Sequence, residues 1–119
     1  MIIYDILIRN GRVIDGSGSP AFNADVGIRN GKIAEIGKLR GEAKRTIDAK
    51  GQVVAPGFID SHSHFDAQVT WDPLCTWSCY HGHTTVITGN CSLGVAPVRR
   101  GTAERVAEFL SYVEAIPME

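Results

Sequence analysis

Apolar and polar residues alternate through residues 4–9, break at Asn10-Gly11, and alternate again through residues 12–15. That period is the mark of a half-buried strand, and Asn-Gly readily supplies the positive φ angles of a two-residue turn. The segment therefore predicts a β-hairpin. The same pattern returns at residues 24–29, Asn30-Gly31 and residues 32–36, with the tetrapeptide IRNG at both turns. Shared turn chemistry accounts for this, because the flanking residues do not match well enough to make a repeat. A Gly, Ser and Pro loop at residues 16–20 separates the two segments and opens no helix, so it is not a phosphate-binding loop. Residues 46–48 and 52–54 predict two short edge or return strands. Residues 1–55 thus read as an antiparallel subdomain.

After Pro56 the pattern changes. Residues 58–61 predict a short strand, and residues 75–81 one or two helical turns with Gly82 placed to end them. The β-branched run TTVIT at 84–88 predicts another strand. Thr102 is placed as the N-cap of a helix whose apolar face is Val106, Phe109, Leu110 and Val113, ending before Pro117. Strand, helix, strand, helix predicts α/β units with parallel strands, so residues 56–119 read as the start of a parallel α/β domain. Two such units cannot bury both faces of a sheet, and a full (β/α)8 barrel takes about 250 residues. The expectation is a fragment of something larger.

Composition narrows the function classes. The chain has 119 residues, 44% hydrophobic and 21% charged, the balance of an ordinary globular protein. A net charge of -1 and the lack of any Lys/Arg cluster argue against a nucleic-acid partner. The N-terminus carries Asp5 and no basic-then-apolar leader, and no apolar run approaches a membrane span, so no membrane partner and a cytoplasmic location are expected. Three cysteines, Cys75, Cys79 and Cys91, make a disulfide framework a poor reading and leave a thiolate ligand or buried thiols.

The candidate chemistry lies in PGFIDSHSHFDAQ, residues 56–68. Alternate strand residues face one way, so His62 and His64 share a side at the C-terminal tip of the first strand of this half. Two imidazoles there can bind one divalent transition metal, with Asp60 as a further ligand or an orienting group. The alternative is a pair of surface histidines in a loop. Cys91, in GNCS just past the next strand, would lie beside them if the two strands are neighbours in one barrel. It is either a thiolate ligand or a small thiol under a glycine-rich loop. His81 and His83 fall at the opposite, N-terminal end of the second strand and read as structural. Trp71 and Trp77 read as loop packing or a substrate wall.

These residues resemble a known family. PGFIDSHSHFDAQ is similar to the first metal-binding strand of the amidohydrolase superfamily, and DILIRNGRVIDGSG, IRNGKIAEIG and IDAKGQVVAPG to the small β-sandwich that flanks its barrel. FDAQVTWDP, HGHTTVITGNCSLGVAP and YVEAIP look like the N-acyl-D-amino-acid deacylase (D-aminoacylase) family, and with them the resemblance covers nearly the whole chain. His83 departs from it, since the family usually has an apolar residue there.

The resemblance implies an α/β fold: strands of a β-sandwich (1–55), then the first two βα units of a truncated, metal-dependent (β/α)8 TIM barrel (56–119). It implies that His62, His64 and Cys91 are metal ligands for one or two Zn2+ ions, the cysteine standing where relatives use a carboxylated lysine. It implies a small-molecule substrate, an N-acyl-D-amino acid hydrolysed to a carboxylate and a free D-amino acid. The general acid/base, an aspartate of the last barrel strand, and further histidine ligands are expected downstream. No catalytic residue is expected within this chain, which alone should be inactive. Two other readings remain: an amidohydrolase of cyclic amides, such as a hydantoinase or dihydroorotase, in which Cys91 is incidental, and a non-catalytic truncated product.

Overall fold

The N-terminal alternation makes one long strand instead of a hairpin. In the computed structural model, which describes residues 2–118, β1 (Ile2–Val13) runs straight through Asn10-Gly11. Asn10 takes a left-handed φ of 59°, and the β1 register slips between Ile8 and Gly11, which is a β-bulge. Partner strands decide the difference. Asn10 donates its N–H to Asp25 Oδ1 at 2.9 Å and its Nδ2 to Asp48 Oδ1 at 2.9 Å. A Cβ on Gly11 would stand 2.6 Å from Val54 Cγ2, so only glycine lets that strand pass. The second IRNG is the reversal its sequence predicts. Asn30 and Gly31 both hold positive φ (54° and 71°), joining β2 (Phe22–Arg29) to β3 (Lys32–Gly37) in the manner of a type I′ turn.

β4 (Glu42–Asp48) and β5 (Val53–Val54) both pair with β1 in parallel, so the sheet is mixed where an antiparallel one was expected. The strand order β3-β2-β1-β4 explains this: the chain leaves β3 and crosses two strands to reach β1's free edge. The crossing link carries Leu39 into a cluster with Tyr4 and the fully buried Leu7. Arg9 fixes the link by donating to the carbonyls of Leu39 (3.3 Å) and Gly41 (3.0 Å). A second cluster joins Val13, Ala24 and Val26. Full burial of a side chain such as Leu7 contributes about 1.5–3 kcal/mol.

The chain divides into two compact units, Met1–Pro56 and Gly57–Glu119. The second unit holds β6 (Phe58–Ser63), a 3-10 turn at Gln68–Thr70, α1 (Thr76–Tyr80), β7 (His83–Thr88) and α2 (Ala103–Glu114). β6 and β7 are parallel, paired from Phe58↔His83 to Ser63↔Thr88. The fold class is α/β, as the element pattern predicts. Gly57 sits where a Cβ would be 2.1 Å from Thr84 Cγ2, so glycine lets the two strands close. The buried Ser63 donates its hydroxyl to the Ile87 carbonyl at 3.1 Å and ties the strands at their C-terminal ends.

Two local expectations are corrected. Thr102 stands at the N-cap of α2, but its hydroxyl donates backward to the Arg99 carbonyl at 2.8 Å and caps no helix N–H. Of the predicted apolar face of α2, only Leu110 is buried, while Phe109 and Val113 are exposed.

Candidate metal centre

Parallel pairing of β6 and β7 puts the two strands' C-terminal ends side by side. His62 lies near the end of β6 and His64 just past it, on one side of the chain as the two-residue period requires. Their rings stack, with centroids 5.6 Å apart and planes 17° from parallel. The loop after β7 then turns sharply, with positive φ at Gly89 (75°) and Ser92 (69°) on either side of Cys91. Asn90 anchors that loop to the other strand by donating its Nδ2 to the Ser61 carbonyl at 2.7 Å.

The result is a cluster of three donors. One ligand atom each from His62, His64 and Cys91 lie within 4.8 Å of one another. The histidines are exposed and the cysteine half-buried. Two imidazoles and a thiol are donor types that zinc takes, and tetrahedral zinc spaces such donors about 3.3–3.6 Å apart. The chemistry of the three donors, gathered within 4.8 Å, fits a zinc ion. Cys91 Sγ lies 3.7 Å from the Leu93 carbonyl, a weak S–H donation.

Asp60 is not in the cluster. Its Oδ1 accepts the backbone N–H of His62 at 3.1 Å, a side-chain turn that fixes the strand end from which both histidines project. His81 and His83 lie at the other end of the β6–β7 pair. His83 Nδ1 is 3.3 Å from the Ser78 carbonyl and its ring tilts against Phe58. All three cysteines are free. Trp71 and Trp77 are exposed, so neither is packed into the loop that carries it. Asp72, beside Trp71, instead receives the N–H and hydroxyl of Thr76 at 2.8 and 2.6 Å and organises the start of α1. Those bonds, the hydroxyl's first, hold its carboxyl below the usual carboxylate range.

Two contributors carry no motif in the sequence. Asn90 bears no mark of its role because its contact with Ser61 is made across strands. Glu114 stands 2.6 Å from His64 Nδ1, a contact between residues fifty positions apart. A local signal existed for Glu114, an acid in the last turn of a helix where basic residues are favoured. Just beyond Cys91, residues 92–94 and α2 line a cleft of about 480 Å3 whose one charged side chain is Arg105.

A sequence model of the amidohydrolase family matches residues 45–108, more than half of the chain. The chain belongs to the amidohydrolase family. The matched span includes all three clustered donors. The D-aminoacylase of Alcaligenes xylosoxydans xylosoxydans is 39% identical over 126 residues, covering 95% of this chain and 26% of that protein. An N-acyl-D-glutamate deacylase of the same organism is 48% identical over 94 residues, covering 78% and 19%. The crystal structure of N-acyl-D-glutamate deacylase from Bordetella bronchiseptica, complexed with zinc and a phosphonate inhibitor, matches with a TM-score of 0.75 and 45% identity over 80% of this chain and 20% of its own. The likeness to the D-aminoacylases drawn from sequence is thus borne out. This amidohydrolase chain spans about a fifth to a quarter of the length of those relatives. Among its described residues, no helix is long and apolar enough to cross a membrane.

Proposed function

We propose that this chain supplies one wall of a zinc centre that hydrolyses N-acyl-D-amino acids to a carboxylate and a free D-amino acid. The observation that carries the reading is the convergence of His62, His64 and Cys91 at the paired ends of β6 and β7. In that wall His62 and His64 offer neutral imidazoles from one strand and Cys91 a thiolate from the next. A zinc ion held there supplies Lewis acidity toward an amide carbonyl and activation of water. The chain's own residues hold the donors: Asp60 fixes the His62 backbone, and Asn90 and Ser63 lock the two strand ends together. The substrate class rests on the named activities of the D-aminoacylase and D-glutamate deacylase relatives. We read residues 1–55 and 56–119 as the start of the family's β-sandwich and of its barrel, and the protein as cytoplasmic.

Cys91 weighs against the hydantoinase reading, in which the cysteine is incidental, because its sulfur joins the histidine cluster. The chain spans only about a fifth to a quarter of the deacylase relatives' length, and we propose that the 119 residues alone give no turnover. Two measurements test the reading. Zn2+ titration of the chain should show at least about tenfold weaker binding for Cys91→Ala, and equal affinity would remove Cys91 from the ligand set. Residues 1–119 fused to the remainder of the Alcaligenes D-aminoacylase should release D-amino acid from N-acyl-D-amino acids. A folded, zinc-loaded fusion that releases none would overturn the substrate assignment.

A further inference from the structure

Glu114 ends α2 against the electrostatic preference of helices. It is the last residue of the helix, and no basic side chain shares its turn. Carbonyl groups at that end carry partial negative charge, so a carboxylate is disfavoured there. The helix end is nonetheless firmly set. Ala115 adopts the left-handed C-cap conformation (φ 52°) and donates to the Ser111 carbonyl, while the Ser111 hydroxyl donates to the carbonyl of Ile116. From this fixed point Glu114, only 20% exposed, reaches a residue fifty positions earlier in the chain: its Oε1 stands 2.6 Å from Nδ1 of His64. Among the described residues, no other carboxylate is bonded to a donor side chain of the cluster. Asp60 holds only the His62 backbone, and Cys91 leans on a carbonyl.

We propose that Glu114 is a positioning residue for the metal centre. It accepts Nδ1–H of His64, fixes that imidazole as the Nδ1-protonated tautomer, and so leaves Nε2 as the nitrogen offered to the metal. A ligand imidazole whose other N–H meets a carboxylate is held in one orientation and made a better donor. This offsets the unfavourable placement of an acid at the end of α2, a local rule broken where function gains from it. The inference rests on the metal-centre reading above and extends it to a residue on a third element.

The test reads the tautomer and the metal separately. In the metal-free, 15N-labelled chain, at a pH where the His64 ring carries a single proton, that proton should sit on Nδ1. Glu114→Gln should keep that tautomer, since its amide oxygen still accepts, and Glu114→Ala should shift His64 toward Nε2–H. With Co2+ as the probe, Glu114→Ala should bind about 10- to 100-fold more weakly than wild type, and Glu114→Gln should lose less. Far-UV circular dichroism checks folding; should Glu114→Ala unfold, the isosteric Glu114→Gln alone must keep the Nδ1–H signal and bind Co2+ more weakly than wild type. An Nε2–H His64 in wild type, or unchanged Co2+ affinity in a folded Glu114→Ala chain, overturns the proposal. A wild-type chain that takes up no Co2+ while its His64 tautomer still depends on Glu114 overturns the metal-centre reading, and the metal role of Glu114 with it.

Discussion

Asp60 and Asp72 each order a short stretch of chain, Asp60 at the strand end that carries the histidines and Asp72 at the start of α1. Asp60 holds the N–H of His62 and so sets the direction in which both histidines leave β6. Asp60→Asn retains an oxygen for that amide, so Zn2+ affinity, measured by competition with a chromogenic chelator, should stay near wild type. Asp60→Ala frees the strand end and should lose about tenfold. Equal large losses in both variants would make the carboxylate itself a ligand. Asp72 gives a pH dependence. Its carboxyl is held below the usual range by the Thr76 hydroxyl and N–H. A group whose folded pKa is depressed adds stability above its unfolded value, near 4, and that stability is lost as pH falls through the folded value. The Thr76 amide resonance should therefore move toward its unfolded position on acidification below about pH 4, and in Asp72→Asn this titration should vanish. At this scale the His-x-His spacing was legible, because strand geometry alone puts the two rings on one side. Glu114 was not, because its contact with His64 depends on where a helix fifty residues later comes to lie.

Two copies of IRNG show what an element's sequence fixes and what it leaves to its neighbours. Asn-Gly announces positive φ, and Asn10 and Asn30 both adopt it. Whether the chain then reverses depends on what lies alongside. Both asparagines give their N–H to an aspartate, Asn10 to Asp25 and Asn30 to Asp5. Only the first copy is also held by Asp48 and flanked by Val54, which keep it in line as a bulge, while the second turns at the end of β2. Strand positions were therefore readable, but the parallel β4 and β5 that convert a hairpin into a continuous strand were not. Alanine substitutions separate the two cases. Gly11→Ala should destabilise by about 1–3 kcal/mol through overpacking against Val54, and Val54→Ala should relieve that loss in the double variant. Gly31→Ala meets nothing within 4 Å but requires φ of +71°. Its loss of about 1–2 kcal/mol is conformational and Val54→Ala should not relieve it. Denaturant unfolding of wild type, the three single variants and the two double variants decides this; additive effects of Gly11→Ala and Val54→Ala would refute the packing account.

Across the whole molecule, burial is unevenly shared. Tyr4, Leu7, Val13, Ala24, Val26, Leu39 and Ala49 form the buried apolar interior of the first unit, whereas Leu110 is the one buried hydrophobic among the described residues of the second. In that second unit the two-stranded sheet leaves both outer edges unpaired among the described residues, and Phe58 and Ile59 on β6 are more than half exposed. A unit with few buried contacts and open backbone edges opens at low free-energy cost. Amide exchange in β6 and β7 should therefore be faster than in β1 and β2. The candidate donors all belong to this weaker unit, so an ion bound by them should change its exchange selectively. At Zn2+ near 100 times the dissociation constant, mass action adds about 2.7 kcal/mol to the state that binds it. That slows exchange through opening of the unit by about 100-fold in β6, β7 and the loop carrying Cys91, and leaves β1 and β2 unchanged. Slowing spread evenly over both units would mean that the ion is held elsewhere. The expected pattern would make the ion part of what holds the second unit folded, with the metal centre and the stability of β6 and β7 resting on the same three side chains.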